Sequence, residues 1–522
     1  MHLSNGFEYL AIVLVIAGFI AAVTAAASDV RQDRINVLNF GAKTDGSTDA
    51  TDAIQAAIDA CHQQGGGEVS FPPGTYLCGS LHLKSHVALY LAHGAKILTS
   101  TDDSDFDTYE KLDFPNDADH ETTFFHFALI WGEDIENIAI LGTGMIDGNR
   151  TKRGGPKPIA LKRCRQVTIK DISIVNAPNY AISLLGTDYV NIDGVTIRNC
   201  FCDGIDPDCC RHVHIANCQI ESRDDAIVPK ASFSLGYRRS TEYLTVTNCQ
   251  LATTCNAFKL GTESGGDFKF ITVSNCVFYN LEQSDLPSSG IALESVDGAH
   301  IDGIAISNIS MQNVEAPIFL RLGNRGRDMD VATPGTLKNV IISNITATGA
   351  IRACQVAGIP GHPVAGVTLD NIQVCFRGGG ARELAQREIP EQIAKYPESS
   401  MFGELPVYGL YCRHATGLKA RNLQFSLESS DLRHALVFED VQFLELESLT
   451  APAIEGAVAT IDLRQVKHAL ITKCLVTPGN ELFLKISGQQ SANISLRANE
   501  LSGAKRIFEL EPGVSDAVIS VE

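Results

Sequence analysis

Eight short segments decide the fold of this chain, beginning with 195-VTIRNC-200, 213-VHIANC-218, 244-LTVTNC-249 and 271-ITVSNC-276. The pattern continues in 304-IAISNI-309, 340-VIISNI-345, 367-VTLDNI-372 and 418-LKARNL-423. Each segment alternates apolar residues with others and then places Asn at a turn, which is typical of a half-buried strand. Because one such strand cannot bury its apolar side alone, its repetition predicts a solenoid. We therefore predict an all-β fold, a stacked parallel β-helix.

The repeat gives structural roles to its Asn and Cys residues. The Asn residues should stack at one turn and bond from coil to coil, as Asn does at bends; they are Asn199, Asn217, Asn248, Asn275, Asn308, Asn344, Asn371 and Asn422. Cys200, Cys218, Cys249 and Cys276 should form a second column inside the solenoid. This interpretation accounts for most of the Cys- and His-rich stretch 200–214, whose spacing differs from known zinc sites. We therefore predict no metal.

Two segments depart from the repeat. Residues 49–67 place Ile54, Ile58 and Cys61 on one helical side and end in glycines. Because the ends of a solenoid must be covered, we predict a capping helix at the N-terminal end. Residues 378–409 interrupt the repeat, and we expect a partly helical excursion over one side of the solenoid.

The N-terminus and the overall charge bear on location and partners. Residues 10–27 form an apolar run that ends in small residues, which favours a signal peptide over residues 1–27 and export to the periplasm or the exterior. A retained membrane anchor is the alternative. Residues 28–522 should then form the β-helix domain, with no membrane contact. The net charge of −19 argues against a nucleic-acid partner, but a few local cations can still bind an acidic polysaccharide.

Three carboxylates fall close together when the coils are aligned. Asp203 stands two residues before Ile205, Asp225 two before Ile227, and Asn256 two before Phe258. If the three apolar residues stack inside the solenoid, the three polar residues are neighbours on successive coils, about 4.8 Å apart. Asp224 breaks the alternation, so it should lie at a turn or bulge that directs it outward. The sequence thus predicts a carboxylate cluster on the surface.

Crowded carboxylates suit a glycoside hydrolase. Their mutual repulsion should raise at least one pKa and leave one group protonated. An inverting hydrolase needs one acid and one base about 6.5–9.5 Å apart. Asp203 and Asp225 are too close for that pair, so Asp224 suits the acid and the other two suit water activation. An acidic surface ladder and a calcium site remain alternatives on these residues alone.

Two motifs around these residues resemble the polygalacturonase family, glycoside hydrolase family 28, within the pectate-lyase-like β-helix superfamily. The stretches 202-CDGIDP-207 and 222-SRDDAIVPKAS-232 match its Asn-Thr-Asp-Gly-Ile-Asp-Pro and Gly-Asp-Asp-Cys-Ile-Ala-x-Lys-Ser motifs, and the spacing between them also fits. The resemblance runs from about residue 35 to 450. It implies an inverting hydrolase with Asp224 as proton donor and with Asp203 and Asp225 orienting the water.

The resemblance also identifies candidate substrate-binding residues. In 254-TCNAFKLGTES-264, Asn256 stands where the family has His, and in 319-FLRLGNRGR-327, Arg321 is kept but Gly323 replaces Lys. A cationic subsite could be rebuilt from other side chains. The predicted set of substrate-binding residues is Asn256, Lys230, Lys259, Arg321 and Arg325.

With this resemblance, we expect a secreted, single-stranded right-handed parallel β-helix. It should be a polygalacturonase-like hydrolase that cleaves pectin-like polysaccharide or oligosaccharide without a cofactor. The replaced residues favour an altered sugar specificity, and the 378–409 excursion favours exo action. Two alternatives stay open. One is a calcium-dependent polysaccharide lyase on the same scaffold, and the other is a carbohydrate-binding β-helix without catalysis.

Overall fold

A computed structural model describes residues 34–282 and 285–522. The predicted signal peptide, residues 1–27, lies outside the described residues. The strands are β1 Arg34–Asn36, β2 Asp45–Asp49, β3 Gly67–Phe71, β4 Gly74–Cys78, β5 Leu81–His82, β6 Val87–Leu91, β7 Ala95–Thr99, β8 Ala128–Glu133, β9 Glu136–Gly142, β10 Met145–Asp147, β11 Lys157–Lys162, β12 Arg165–Lys170, β13 Ser173–Val175, β14 Ile182–Leu185, β15 Asp188–Asp193, β16 Thr196–Cys200, β17 Ile205–Asp208, β18 Arg211–Ala216, β19 Gln219–Ser222 and β20 Thr241–Thr247.

The later coils contain β21 Gln250–Thr253, β22 Asn256–Leu260, β23 Phe268–Asn280, β24 Ser289–Ser295, β25 His300–Gln312, β26 Ala316–Leu322, β27 Thr336–Ala350, β28 Cys354–Ala357, β29 Val364–Phe376, β30 Val407–Thr416, β31 Lys419–Leu427, β32 His434–Ala451, β33 Ile461–Arg464, β34 Lys467–Thr472, β35 Leu475–Val476, β36 Leu484–Ser487, β37 Ala492–Arg497, β38 Phe508–Leu510 and β39 Ile519–Val521. Two helices are present in the described residues, α1 Thr51–Gln63 and the single turn α2 His120–Thr123. The predicted all-β class is confirmed.

The strands pair in parallel along three faces of a solenoid. The first face runs through β1, β3, β6, β9, β12, β15, β18 and β20. The second runs through β2, β4, β7, β10, β13, β16, β19 and β21. The third contains β5, β8, β11, β14 and β17, and later β22, β24, β26 and β28. Long strands such as β23 continue from the first face into the second.

The third face is interrupted between β17 and β22. In this interval its pairing is reduced to isolated parallel bridges, which join Ile205 to Ile227, Asp208 to Lys230 and Ile227 to Phe258. The interruption coincides with the carboxylate cluster that the sequence predicts. Regular strand structure is therefore interrupted on this face where the carboxylate cluster lies.

The predicted Asn column is confirmed. All eight residues adopt left-handed backbone angles, with φ between +50° and +58°, a region that Asn tolerates better than most residues. Several amides bond from coil to coil: Asn308 Nδ2 donates to Asn275 Oδ1 over 3.0 Å, and Asn344 Nδ2 donates to Asn308 Oδ1 over 3.0 Å. Asn217 and Asn422 instead donate to Asp193 and Asp370. The four predicted Cys residues are buried beside this column.

Helix α1 lies within the stretch that the sequence predicts as helix. Ile54, Ile58 and Cys61 are fully buried on one side of it, as expected. The helix packs on β1, β3, β5 and β6, the first strands of the first and third faces. A single hydrophobic core continues from Val37 to Val518. No helix among the described residues is long and apolar enough to cross a membrane.

The excursion between β29 and β30 covers part of the third face. Its regular structure is limited to one 3-10 turn, Arg382–Gln386, so it is less helical than the sequence suggests. Ile389, Met401, Phe402 and Leu405 of the excursion form a second apolar cluster with outward side chains of the third face, among them Phe319 and Tyr411. The excursion is thus held on the solenoid by its own small core.

The Asn column generates a stability prediction. Replacing Asn308 with Ala removes its two amide hydrogen bonds and leaves a β-carbon in the left-handed region, so we expect a loss of about 1–2 kcal/mol. Urea unfolding followed by circular dichroism would measure this loss. Asn308→Gly serves as the control, because it removes the same bonds without the backbone strain and should destabilise less. An Ala variant as stable as the wild type would show that the column contributes nothing.

Candidate active site

Successive coils bring Asp203, Asp225 and Asn256 into one column. The bridges from Ile205 to Ile227 and from Ile227 to Phe258 fix the register that the sequence predicts. The backbone N–H of Asp225 donates to Asp203 Oδ1 over 3.3 Å, and the backbone N–H of Asn256 donates to Asp225 Oδ1 over 3.0 Å. Each carboxylate is therefore held by the next coil. The predicted vertical alignment is confirmed.

Asp224 lies at a bend immediately after β19, as predicted. The Ser222 hydroxyl donates to the carbonyl oxygens of Asp224 and Asp225, over 2.7 and 3.1 Å, and Thr253 Oγ1 also donates to the carbonyl of Asp224. These bonds hold the bend in place. The side chain of Asp224 is 26% exposed, whereas those of Asp203 and Asp225 are 5% and 6% exposed. Asp203 and Asp225 are therefore less exposed than the predicted surface cluster implies, because surrounding loops and lysines cover them.

The three carboxylates lie close to one another. An oxygen of Asp224 lies within 4.8 Å of an oxygen of Asp203, and an oxygen of Asp224 lies within 4.8 Å of an oxygen of Asp225. The cause is the position of Asp224, which is adjacent to Asp225 in the chain and one coil away from Asp203. Inversion of the anomeric centre thus stays a prediction from the family resemblance.

Each buried carboxylate has its own lysine. Lys230 Nζ lies 2.9 Å from Asp203 Oδ2, 2.5 Å from Asp206 Oδ2 and 3.1 Å from the Tyr180 hydroxyl. Lys259 Nζ lies 3.2 Å from Asp225 Oδ2. Both lysine side chains are about as buried as their partners, so they position carboxylates and do not present a free cation to substrate. Direct binding of substrate by these two lysines stays a prediction.

The surroundings shift the pKa values of the two buried carboxyl groups in opposite directions. Burial, together with the charges of Asp224 and Asp225, raises the pKa of Asp203 well above its usual range, although Lys230 opposes this. Burial alone would also raise the pKa of Asp225, but Lys259 and the hydrogen bond from Asn256 lower it. Asn256 Nδ2 donates to Asp225 Oδ1 over 2.8 Å. The pKa values of the two buried carboxyl groups are therefore moved apart, that of Asp203 upward and that of Asp225 downward.

Asn256 and the two arginines of the predicted substrate-binding set have other contacts. Asn256 is buried against Asp225, so it supports the cluster. Arg321 is 1% exposed and donates to the backbone carbonyls of Gly358, Glu391 and Gln392. The excursion covers Arg321 and uses its donors, so its role as a substrate ligand stays a prediction. Arg325 forms a two-point ion pair with Asp297 and is largely enclosed.

Sequence reasoning missed three residues at the site. Arg153 Nη1 lies 2.6 Å from Asp224 Oδ2, Glu294 Oε2 lies 3.9 Å from Lys259 Nζ, and the ring of Tyr396 lies 5.7 Å from the same ammonium group. Arg153 and Tyr396 belong to segments between repeats, where register cannot be read. Glu294 could have been found, since it stands three residues after Ile291, the residue aligned with Phe258.

The donor set fits calcium poorly. Among the described residues, two overlapping groups could hold a metal, Cys202 with Asp203 and Asp224, and Asp224 with Asp225 and Cys255. Calcium prefers six to eight oxygen ligands, whereas each group includes a thiol and only two carboxylates. Arg153, Lys230 and Lys259 also neutralise these carboxylates. The arrangement weighs against the calcium-dependent lyase.

Comparison with known proteins identifies the class. Residues 111–392, more than half of the chain, match "Glycosyl hydrolases family 28", and the chain belongs to this family. It is therefore a glycoside hydrolase, as the sequence predicts. A "Probable polygalacturonase" of Vitis vinifera is 25% identical over 381 residues, which cover 68% of this chain and 76% of that protein. An "Endo-polygalacturonase" of Pectobacterium carotovorum subsp. carotovorum is 25% identical over 356 residues, 61% of this chain and 84% of that one.

Solved structures share the fold. An exopolygalacturonase from Thermotoga maritima aligns with a TM-score of 0.61 at 20% identity, over 76% of this chain and 93% of that one. A family 28 exopolygalacturonase from Yersinia enterocolitica aligns with a TM-score of 0.63 at 18% identity, over 80% of this chain and 78% of that one. The β-helix architecture is confirmed by this likeness.

Glu294 generates a prediction on pH dependence. Burial raises its pKa from 4.5 to about 8, and Lys259 only partly opposes this. Because the folded state holds this proton more tightly than the unfolded state, Glu294 favours folding fully below pH ~4.5, and that contribution is lost as the pH rises towards about 8. Glu294→Gln copies the protonated form. The difference in melting temperature, variant minus wild type, should therefore increase by several degrees as the pH rises from about 4.5 to about 8.

The exposed Glu383 provides the control. The difference in melting temperature between Glu383→Gln and the wild type should stay constant over the same pH range. A constant difference for Glu294→Gln as well would contradict the assigned protonation of Glu294.

Proposed function

We propose that the protein hydrolyses a glycosidic bond in pectin-like polysaccharide, with Asp224 as general acid and with Asp203 and Asp225 activating the water. The observation that carries this proposal is the cluster itself: one partly exposed carboxylate lies beside two buried carboxyl groups whose pKa values move apart. Similarity to proteins described as polygalacturonases supports the class of substrate.

The roles follow from the positions of the three groups. Asp224 is the one that a sugar can reach, so it donates a proton to the leaving oxygen as the glycosidic C–O bond breaks. A water molecule attacks the anomeric carbon from the other side. Ionised Asp225 accepts a proton from that water, and Asp203 orients it by hydrogen bonding. The proton on Asp225 then returns to Asp224 through solvent, which restores the starting state.

The excursion supports exo action or a narrow specificity. Tyr396 lies over the third face beyond the carboxylates, 5.7 Å from both Lys259 Nζ and the Arg325 guanidinium, and its hydroxyl lies 3.4 Å from Thr262 Oγ1. The excursion therefore covers part of the coil that carries Lys259 and Thr262. A polysaccharide end fits such a surface better than the middle of a chain.

Replacing the general acid tests the proposal. Asp224→Asn should lower kcat by roughly 10²–10⁴-fold, because general acid catalysis contributes that much, while oligosaccharide binding persists. Hydrolysis of pectic oligosaccharides, followed by NMR of the product anomers, measures the rate and the stereochemistry. Asp134→Asn, at an exposed ion pair with Arg163, is a matched control and should leave the rate unchanged.

Three outcomes would count against the proposal. Full activity of Asp224→Asn would remove Asp224 from the acid role. A product with retained anomeric configuration would exclude the inverting route. An unsaturated product that absorbs in the ultraviolet, formed only without chelator, would identify the calcium-dependent lyase.

We also infer that helix α1 caps a right-handed solenoid and that the protein is exported. The packing of α1 on the first strands supports the cap, and the apolar run of residues 10–27 supports export, since a polysaccharide of this kind lies outside the cell that degrades it. N-terminal sequencing of protein recovered from culture medium or periplasm should begin near residue 28. Recovery of the intact N-terminus in the membrane fraction would indicate an anchor.

A further inference from the structure

Five basic side chains, four of them predicted to bind substrate, differ in how accessible they are to solvent. Lys230, Lys259 and Arg325 are 5%, 4% and 11% exposed, and each is engaged by a buried carboxylate. Arg321 lies under the excursion. Arg153 is 48% exposed. Of these five, Arg153 is the cation that a substrate can reach.

The loop that carries Arg153 is fixed on both sides. Before it, Arg150 donates to the carbonyl of Ser100 over 2.7 Å and to Asp103 over 2.8 Å. After it, Gly154 N–H donates to the carbonyl of Pro178 over 2.9 Å. These bonds place the side chain of Arg153 above the coil that contains Asp224. The loop therefore presents a guanidinium to the cluster in a defined position.

Arg153 forms an ion pair with Asp224, the proposed acid, in this structure. Its Nη1 donates to Asp224 Oδ2 over 2.6 Å, and its Nη2 lies 3.3 Å from Glu121 Oε1. The other oxygen, Asp224 Oδ1, accepts a hydrogen bond from the backbone N–H of Asp225 over 3.1 Å. Both oxygens of Asp224 are thus engaged in this structure, one by the guanidinium and one by a backbone N–H. Arg153 must leave Asp224 before Asp224 can act as an acid.

We propose that Arg153 releases Asp224 and binds a carboxylate of the substrate in its place. This inference rests on the proposed function and adds the residue that recognises the acidic sugar. A guanidinium presents two parallel donors, which suit a carboxylate better than a single ammonium group does. The exchange anchors the sugar and frees Asp224 to take up a proton at the same time. An uncharged sugar cannot draw Arg153 away in this manner.

The test compares an acidic substrate with its neutral ester. We expect Arg153→Gln to raise KM for trigalacturonate roughly 10- to 100-fold, the effect of losing one hydrogen bond to a charged group. The fully methyl-esterified trimer, measured as an inhibitor of trigalacturonate hydrolysis, should have inhibition constants within about twofold in the wild type and the variant, since an ester offers no carboxylate for a guanidinium to bind. Arg153→Lys should give an intermediate KM on the acid. Arg163→Gln is the matched control, because Arg163 is 40% exposed and pairs with Asp134 elsewhere on the surface.

The results separate this inference from a structural role and from the proposed function. Equal losses on acid and ester, or a shift in melting temperature that accounts for both, would overturn the recognition role. An unchanged KM for trigalacturonate would overturn it as well. A wild-type protein that does not cleave trigalacturonate would overturn the proposed function, and this inference with it.

Discussion

The structure depends on the stacking of equivalent apolar residues from coil to coil. Ile205, Ile227 and Phe258 lie over one another inside the solenoid, and this packing fixes the register of everything on the same face. Because adjacent coils are only one strand spacing apart, residues that are 22 or 31 positions distant in the chain become direct neighbours. The active site is a consequence of that register and has no separate scaffold.

Bringing carboxylates so close has an electrostatic cost, and the structure offsets it locally. Asp203 and Asp225 each accept a backbone hydrogen bond from the next coil and each face a buried lysine. Removing one lysine would leave an uncompensated buried charge, which is far more unfavourable than the absence of both partners. The lysines are therefore part of the catalytic cluster through the carboxylates that they hold.

The sequence predicts the features that the repeat determines and fails where the repeat ends. The alignment of Asp203, Asp225 and Asn256 could be derived because each precedes an inward apolar residue by two positions. The contacts of Arg321 could not, since they depend on how the 378–409 excursion folds back over the third face. The distance from Asp224 to its neighbours depends on the bend after β19. The alternation of apolar and polar residues in the sequence does not determine the geometry of such a bend.

The excursion also changes how the molecule as a whole comes apart. In a simple solenoid each coil contacts only its neighbours, so the ends can fray one coil at a time. Here Phe402 and Leu405, which immediately precede β30, share a cluster with Phe319 of β26 and Val437 of β32. Coils that are not adjacent in the stack are thereby joined in one cooperative unit, so the later half of the solenoid resists stepwise loss of its coils.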